Sequence, residues 1–270
     1  MLSERRRQYL ETLGIDLWVR RNRGASAEAP PDSPPEASAE APPAAPAAGQ
    51  VSARAEPGAG VPQGPAVMTS DEAAREWQQL LEEVRGCTRC PLHLTRTQGV
   101  LGVGPKRADW LVIGEAPGAE EDRRGEPFVG AAGQLLDAML RAISLDRHTN
   151  VYIANVLKSR PPNNRDPRPE EVEACLPYLA RQIALLQPKI MLAVGRIAAQ
   201  NLLGTDAPLG RLRGRVHHFG ERQTPLVVTY HPAYLLRTPA DKRKAWEDLK
   251  FARGVYQQLT QGSLIDVHRT

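Results

Sequence analysis

The chain contains three cysteines, and their spacing is the first feature that could support chemistry. Cys87 and Cys90 form a CxxC pair in "CTRC", and Cys175 follows at long range. Thiolates in this pattern bind zinc or iron–sulfur clusters, although both kinds of site usually take four ligands. So few cysteines fit a reducing compartment better than a disulfide framework. We therefore expect metal or redox use of the cysteines, in a cytoplasmic protein, and a metal site would need one further ligand.

Polar residues lie where three predicted strands end. Acidic residues and a Gly/Pro turn follow a strand at 109–115, Asn155 follows "YIA", and His231 ends a strand in "TYHP". Singly, such an Asn is typical of a helix cap and such a His of a structural residue. The carboxyl ends of parallel strands meet at one edge of a sheet. Together with Phe128 in "EPFVG", these residues predict one functional rim.

Apolar segments of strand length alternate with segments of helical periodicity. Strands are predicted at 109–115, 151–157, 189–195 and 225–231, and helices from Ser70 (with Ser70 and Asp71 as capping candidates) and at 133–143, 169–186, 196–204 and 241–260. Near-continuous apolar strands separated by helices are typical of parallel sheets covered on both faces. The predicted fold class is α/β, a three-layer α/β/α domain with a central, mainly parallel four-stranded sheet.

Composition divides the chain into four parts. Residues 1–23 predict an amphipathic helix, 24–68 a disordered Pro/Ala-rich linker, 69–262 a globular domain and 263–270 a C-terminal tail. The first helix is either a solvated segment or a docking peptide for a protein partner. No apolar run approaches the roughly 18–20 residues of a membrane span, so we expect no membrane association. The net charge of +4 is compatible with a polyanionic partner without requiring one.

Several long motifs together resemble a known family. They are "CTRCPLHLTRTQGVLGVG", "GEAPGAEEDRRGEPFVGAAGQLLD", "YIANVLKSRPPNNRDPRPEEVEAC" and "TYHPAYLLR". In this order they are similar to the family 4 uracil-DNA glycosylases of bacteria and archaea, the iron–sulfur members of their superfamily. The similarity covers residues from about 75 to 260. It implies a monomeric enzyme of base excision repair that hydrolyses the N-glycosidic bond of uracil flipped out of DNA, leaving an abasic site.

The resemblance also implies roles for the rim residues. Asn155 would read uracil, since its carboxamide can donate to O4 and accept from N3–H, whereas cytosine presents the opposite pattern. Phe128 would stack on the base, and a neutral His231 would donate toward O2 of the departing uracil. Glu121 would assist the attacking water or balance the sugar cation. The implied substrate-binding set is Glu115, Ala116, Gly118, Phe128, Asn155 and His231, and the implied catalytic set is His231, Glu121 and Asn155.

DNA contacts are implied for two further segments. In "HPAYLLR", Leu235 or Leu236 would wedge into the minor groove and Arg237 would contact phosphate. In "RPPNNR", Asn164 and Arg165 would meet the DNA.

The resemblance assigns the cysteines to an iron–sulfur cluster, expected as 4Fe-4S, held by Cys87, Cys90 and Cys175. The family places one more cysteine before "RPP", where this chain has Ser159. Four outcomes stay open: ligation by the serine oxygen, a four-iron cluster with water or another ligand on the fourth iron, a three-iron cluster, or loss of the cluster. We favour a cluster held by three cysteines, with a structural role.

Three other functions are alternatives for this sequence. The first is a glycosylase for other deaminated bases, such as hypoxanthine or xanthine. The second is a module that binds uracil-DNA through a covalent histidine without turnover, but that needs a His-bearing basic insert before Cys175, which "RPPNNRDPRP" lacks. The third is a recruitment subunit with a degenerate catalytic domain, which the intact GEAPG motif, Asn155 and His231 argue against.

Overall fold

The computed structural model describes residues 69–265. The predicted N-terminal helix (1–23), the linker (24–68) and the end of the C-terminal tail lie outside the described residues. Within the described part, no helix is long and apolar enough to cross a membrane.

Helices and strands alternate along most of the domain. The helices are α1 (Ser70–Gly86), α2 (Ala119–Arg124), α3 (Ala131–Ala142), α4 (Pro169–Leu186), α5 (Arg196–Leu203), α6 (Leu209–Leu212), α7 (Pro232–Arg237) and α8 (Lys242–Ile265). The strands are β1 (Trp110–Gly114), β2 (Val151–Asn155), β3 (Ile190–Val194), β4 (His217–Phe219) and β5 (Thr224–Thr229). Short 3-10 turns lie at Pro91–Leu94, Pro162–Asn164 and Pro239–Asp241.

The strands form one mixed sheet in the order β2-β1-β3-β5-β4. The first four in this order are parallel, and β4 pairs antiparallel with β5 at the edge. The predicted fold class is confirmed, and the sheet contains one strand more than the four expected. The extra strand has only three residues, two of them histidines, so it carries no apolar run by which sequence reasoning could find it.

Helices cover both faces of the sheet and produce two hydrophobic cores. Alternate residues of β1 divide between them: Leu111 and Ile113 pack with α1, α4 and α5, whereas Trp110 and Val112 pack with α3 and α8. All five β1 residues are buried, as expected for a parallel strand covered on both sides. The predicted three layers follow directly.

Several helix boundaries differ from the prediction, and the first and last helices are the clearest cases. The cap of α1 is Thr69, not Ser70 or Asp71: the Thr69 hydroxyl accepts from the Glu72 amide, and the Glu72 carboxylate accepts from the Thr69 amide. This reciprocal pair satisfies two amides that the first helical turn leaves free, so it fixes the helix start one residue earlier. At the other end of the domain, α8 continues to Ile265, five residues beyond the predicted end.

Candidate active site

The carboxyl ends of the parallel strands open into a cavity of about 410 Å³. Its lining includes ten of the predicted site residues: Glu115, Ala116, Gly118, Glu121, Phe128, Asn155, Asn164, Arg165, His231 and Arg237. Pro117, Ala132, Pro161, Asp166, Ala233 and Tyr234 complete the lining and were not predicted. The structure therefore brings the separate motifs together at the edge where parallel-sheet sites are expected.

Asn155 is the last residue of β2 and lies at the floor of the cavity. Its side chain is buried, with 2% of the residue exposed. Its Oδ1 atom has no hydrogen-bond partner among the described residues. A buried amide oxygen without a partner is costly, and most such groups in folded proteins are satisfied. Asn155 therefore presents an acceptor that a ligand donor could satisfy.

His231 caps α7 and faces the same cavity. Its Nδ1 accepts a hydrogen bond from the Ala233 amide at 3.1 Å, which places the proton of a neutral ring on Nε2. Burial, reinforced by the nearby positive charge of Arg237 and opposed by Glu121, lowers the pKa of His231 to about 4. The imidazole is consequently neutral at physiological pH, with Nε2–H available as a donor.

Phe128 lies beside both polar groups. Its ring centroid is 5.6 Å from that of His231, and the two ring planes meet at 31°. A Cβ atom placed on Gly114 would lie 2.5 Å from both the Phe128 ring and Asn155 Oδ1. A glycine at the end of β1 is therefore what permits the aromatic ring and the amide to approach each other.

Two carboxylates line the cavity in different environments. Burial, with Asp166 nearby and Arg196 opposing, raises the pKa of Glu115 to about 7. Glu121 instead accepts hydrogen bonds from two backbone amides, those of Val129 at 2.9 Å and Gly130 at 3.0 Å. Glu121 thus anchors the segment that follows Phe128, a contact that sequence reasoning did not anticipate.

The two leucines proposed as a wedge have different positions. Leu235 is 1% exposed and packs in the core beside α3 and α8, so its prediction as a DNA contact is wrong. The turn of α7 that points Leu235 inward points Leu236 outward, where 44% of that residue is exposed. Arg237 is also exposed and lines the cavity mouth.

The "RPPNNR" segment reaches the cavity, but its arginine already has a partner. Arg165 donates two hydrogen bonds to the buried Glu171 carboxylate, at 2.8 and 2.5 Å. Asn164 Oδ1 accepts from Arg160 Nε at 2.8 Å. Both predicted DNA contacts therefore hold this loop in place within the free protein.

The three cysteines lie near one another on the opposite side of the "VLKS" segment. Cys87 ends α1, Cys90 precedes a 3-10 turn, and Cys175 is buried in α4. Burial raises the pKa of the Cys175 thiol, opposed by the hydrogen bond from the Lys158 amide to its sulfur. Cys90 and Cys175 belong to one hydrophobic cluster, against which Cys87 packs. All three are free thiols. In residues 69–265, no three Cys, His, Asp or Glu side chains are arranged to hold a single metal ion.

Ser159 is buried beside these thiols and has a specific partner. Its hydroxyl oxygen accepts a hydrogen bond from Arg96 Nη1 at 2.8 Å. The same guanidinium donates through Nη2 to the backbone carbonyls of Arg85 and Cys87, at 2.8 and 2.9 Å. Arg96 therefore ties Ser159 to the loop that carries the CxxC pair. We call Cys87, Cys90, Cys175, Ser159 and Arg96 the cysteine corner.

Lys158 is a buried residue that sequence reasoning missed. Its Nζ donates to the Asn155 carbonyl at 2.7 Å and to Gln182 Oε1 at 2.5 Å, and burial lowers its pKa to about 7. Its backbone amide contacts Cys175 Sγ at 3.5 Å. A lysine directly after the apolar run "VYIANVL" was the available signal, because lysine is rarely buried without dedicated partners. Lys158 links the strand end bearing Asn155 to helix α4.

A second cavity, of about 420 Å³, lies at the amino end of β1. Its lining includes Arg107, Trp110, Arg253 and Tyr256, but none of the predicted site residues. The chemistry predicted from the sequence therefore belongs to the cavity at the carboxyl ends of the strands.

Comparison with known proteins agrees with this geometry. Residues 101–250, more than half of the chain, match the model of the uracil DNA glycosylase superfamily. That range contains β1, β2, β3 and β5 and every residue that lines the first cavity.

Several relatives that match most of the described domain are type-4 uracil-DNA glycosylases. A type-4 uracil-DNA glycosylase of Archaeoglobus fulgidus is 45% identical over 177 residues, which cover 63% of this chain and 88% of the relative. Those of Pyrobaculum aerophilum and Thermotoga maritima are 46% and 42% identical, covering 64% of this chain and 90% of each relative. The predicted family is confirmed: this chain belongs to the uracil DNA glycosylase superfamily and, within it, to the type-4 uracil-DNA glycosylases.

Proposed function

We propose that the cavity receives a uracil flipped out of DNA and that the protein hydrolyses the N-glycosidic bond of this nucleotide. The protein would act in DNA repair and leave an abasic site. The observation that supports this most directly is the buried Asn155 Oδ1, for which the part of the chain described in the structure supplies no donor. Uracil N3–H is such a donor, and it would satisfy the atom when the base enters.

Recognition would combine hydrogen bonding with stacking. The Asn155 amide would accept from N3–H and donate to O4, while the base lies against the Phe128 ring. Cytosine would meet the same amide with a lone pair at N3 and an amino group at position 4. Two buried contacts would then be unfavourable, which separates the bases strongly. A flipped base costs a few kcal/mol of lost stacking, which these contacts would offset.

Bond cleavage would depend on His231. When the bond between C1′ and N1 breaks, its electron pair moves onto the uracil ring and positive charge develops on the sugar. The neutral Nε2–H of His231 would donate to O2 of the uracil anion and stabilise it as it forms. The water oxygen then bonds to C1′ and loses its proton. The Glu121 carboxylate, held near the cavity by two backbone amides, is proposed to assist this water or to balance the sugar cation.

DNA contacts would come from the exposed side of α7. Leu236 is proposed to occupy the space left by the flipped base, since it is the exposed member of the leucine pair. Arg237 at the cavity mouth would contact phosphate. Asn164 and Arg165 would contribute mainly by holding the neighbouring loop in shape.

We propose that the cysteine corner holds an iron–sulfur cluster through Cys87, Cys90 and Cys175. The residues fit such a group because the three free thiols share one hydrophobic cluster, in which Cys90 and Cys175 are buried and against which Cys87 packs, and thiolates are the ligands that iron–sulfur clusters take. When bound, the cluster would supply a rigid link between α1, the CxxC loop and α4. The proposed chemistry of base removal takes place at the other cavity and needs no electron transfer.

Uracil excision by the purified full chain tests the proposed activity. The substrate is an oligonucleotide with one uracil, and strand scission after alkaline treatment reports the abasic site. His148→Ala is a matched control, because His148 is exposed and does not line the cavity. Cleavage by wild type and His148→Ala, but not by His231→Ala, is expected. Equal activity of His231→Ala and wild type would contradict the mechanism.

The same assay separates the proposed function from its alternatives. Competitor oligonucleotides with hypoxanthine or xanthine report other deaminated bases, and we expect uracil to be preferred. A protein–DNA adduct that survives denaturation would instead indicate the binding module. We further propose that the protein acts as a cytoplasmic monomer and that residues 1–23 dock to a protein partner.

A further inference from the structure

Phe128 has a backbone conformation that is unfavourable for its residue type. Its φ angle is +56°, in the left-handed region that bulky L-residues rarely adopt. Such a conformation persists only where the surroundings impose it, and it is often found at functional sites. The contacts around this peptide should therefore show what holds the aromatic ring in the cavity.

Arg147 contacts the peptide from one side. Its Nη1 donates to the Pro127 carbonyl at 3.1 Å and its Nη2 to the Phe128 carbonyl at 2.8 Å. Asp137 accepts from Nε of the same guanidinium at 2.7 Å and so orients it. Arg147 is 8% exposed, which shields these charge-assisted bonds from water. A planar guanidinium can bond two adjacent carbonyls and a carboxylate at once, which a lysine cannot.

The other side of the peptide is equally constrained. The next two amides, of Val129 and Gly130, donate to Glu121. Helix α3 approaches so closely that a Cβ atom on Gly133 would lie 1.8 Å from the Phe128 carbonyl oxygen. Relaxing φ of Phe128 would break these contacts and turn its ring away from His231.

We infer that Arg147, oriented by Asp137, is a positioning residue that holds Phe128 in its left-handed conformation as the stacking surface of the site. This inference rests on the proposed function, because it assigns the clamp to the ring that would stack on uracil. Arg147 does not line the cavity, so its effect on catalysis would act through the segment 127–130, and the inference assigns this effect to the position of the Phe128 ring.

A double-mutant cycle tests this dependence. Stacking on an aromatic side chain contributes about 1–3 kcal/mol per base, so Arg147→Met and Phe128→Ala should each lower kcat/KM for uracil excision about 10- to 100-fold. In the Phe128→Ala background, Arg147→Met should cause no further loss. Arg147→Lys should not restore activity. Arg141→Met, on the exposed face of α3, is the control and should behave as wild type. If the falls in kcat/KM of the two single variants multiply in the double variant, the inference is overturned.

A second measurement does not depend on activity. The chain contains only three phenylalanines, so labelling with 4-fluorophenylalanine gives three fluorine resonances, which single Phe substitutions assign. Arg147→Met should shift or broaden the Phe128 resonance in DNA-free protein, and an unchanged resonance would refute the clamp. If Arg147→Met does not fold, Asp137→Asn replaces it in both experiments and should give a smaller change in the same direction. If wild type does not excise uracil but Arg147→Met still shifts the Phe128 resonance, the proposed function is rejected and the positioning role of Arg147 is retained.

Discussion

Residues 155–159 join the substrate cavity, where Asn155 lies, to the cysteine corner, where Ser159 lies. The two regions differ in whether their buried polar atoms have hydrogen-bond partners. In the cavity, Asn155 Oδ1 is buried and no described residue satisfies it. In the corner, the Ser159 hydroxyl is held by Arg96. Lys158, which precedes Ser159 in the chain, bonds the Asn155 carbonyl and Gln182. A buried polar atom without a protein partner needs an explanation, and at Asn155 a donor of the bound base would supply one, whereas paired groups stabilise the fold. The difference suggests that the cavity is built for the substrate and the corner for structure.

Substitutions in the cavity should have the largest effect on activity. We expect Asn155→Ala and His231→Ala each to lower kcat/KM for uracil excision by about 10²- to 10³-fold, because each removes a preorganised contact to the base or its developing charge. Asn155→Ala should not destabilise the protein strongly, since Asn155 Oδ1 makes no hydrogen bond to lose. His231→Ala also removes the cap of α7 and should cost about 0.5–2 kcal/mol of stability. Excision rates and melting temperatures of the same preparations test this. A large loss of stability with little loss of activity would reverse the contrast between the two regions.

Removing a thiol from the corner should give the converse result. Cys175→Ala should abolish iron binding, because it leaves two cysteines in the chain. We expect a lower melting temperature, while the folded fraction excises uracil far better than His231→Ala does. Iron and sulfide content, visible absorption and excision are measured on one sample. If activity per folded molecule falls as far as in His231→Ala, the corner takes part in catalysis.

Ser159 allows a finer test of the corner. If Arg96 occupies its hydroxyl in the loaded protein too, Ser159→Ala should retain as much iron as wild type. Ser159→Cys adds a thiolate and should slow the loss of iron to a chelator about 10-fold, the lower end of the effect seen when the surroundings of a metal site are altered. A marked loss of iron from Ser159→Ala would show instead that the serine oxygen is a ligand.

The smallest effect we predict is on the pH dependence of stability. The raised pKa of Glu115, about 7 against an ordinary 4.5, means that the folded protein binds more protons than the unfolded chain between these values. The contribution of this proton binding to the stability of the folded protein is present below pH 4.5 and is lost as pH rises toward 7. Glu115→Gln removes it, so the melting temperature of the variant relative to wild type should rise by a few degrees between about pH 5 and 7.

His231 should act in the opposite direction over an overlapping range. Its pKa of about 4 lies below the ordinary 6.5, so its contribution to stability is present above pH 6.5 and is lost as pH falls toward 4. In wild type, the effects of Glu115 and His231 on stability therefore change in opposite directions as the pH rises. Glu115→Gln removes the first effect and should leave the second visible. If the melting temperatures of variant and wild type change in parallel from pH 5 to 7, the result contradicts the burial of Glu115 at the cavity edge.

The sequence by itself determined the fold class, the positions of the apolar parallel strands along the chain and the identity of most residues that line the cavity. Periodicity marks buried strands, and parallel strands bring their carboxyl ends to one edge wherever their helices pack. Asn155, Phe128 and His231 could therefore be placed together before any coordinates were known. The three-residue strand β4 could not be found, because an edge strand of that length has no pattern.

Only the tertiary structure decided how neighbouring residues divide their roles. Leu235 and Leu236 are identical in type and adjacent, and the packing of α7 alone buries one and exposes the other. The pairing of Arg165 with Glu171, of Arg96 with Ser159 and of Arg147 with the Phe128 peptide joins residues that lie apart in the sequence. Local patterns do not encode such contacts, since they depend on the distance and angle between elements that meet only in the folded chain.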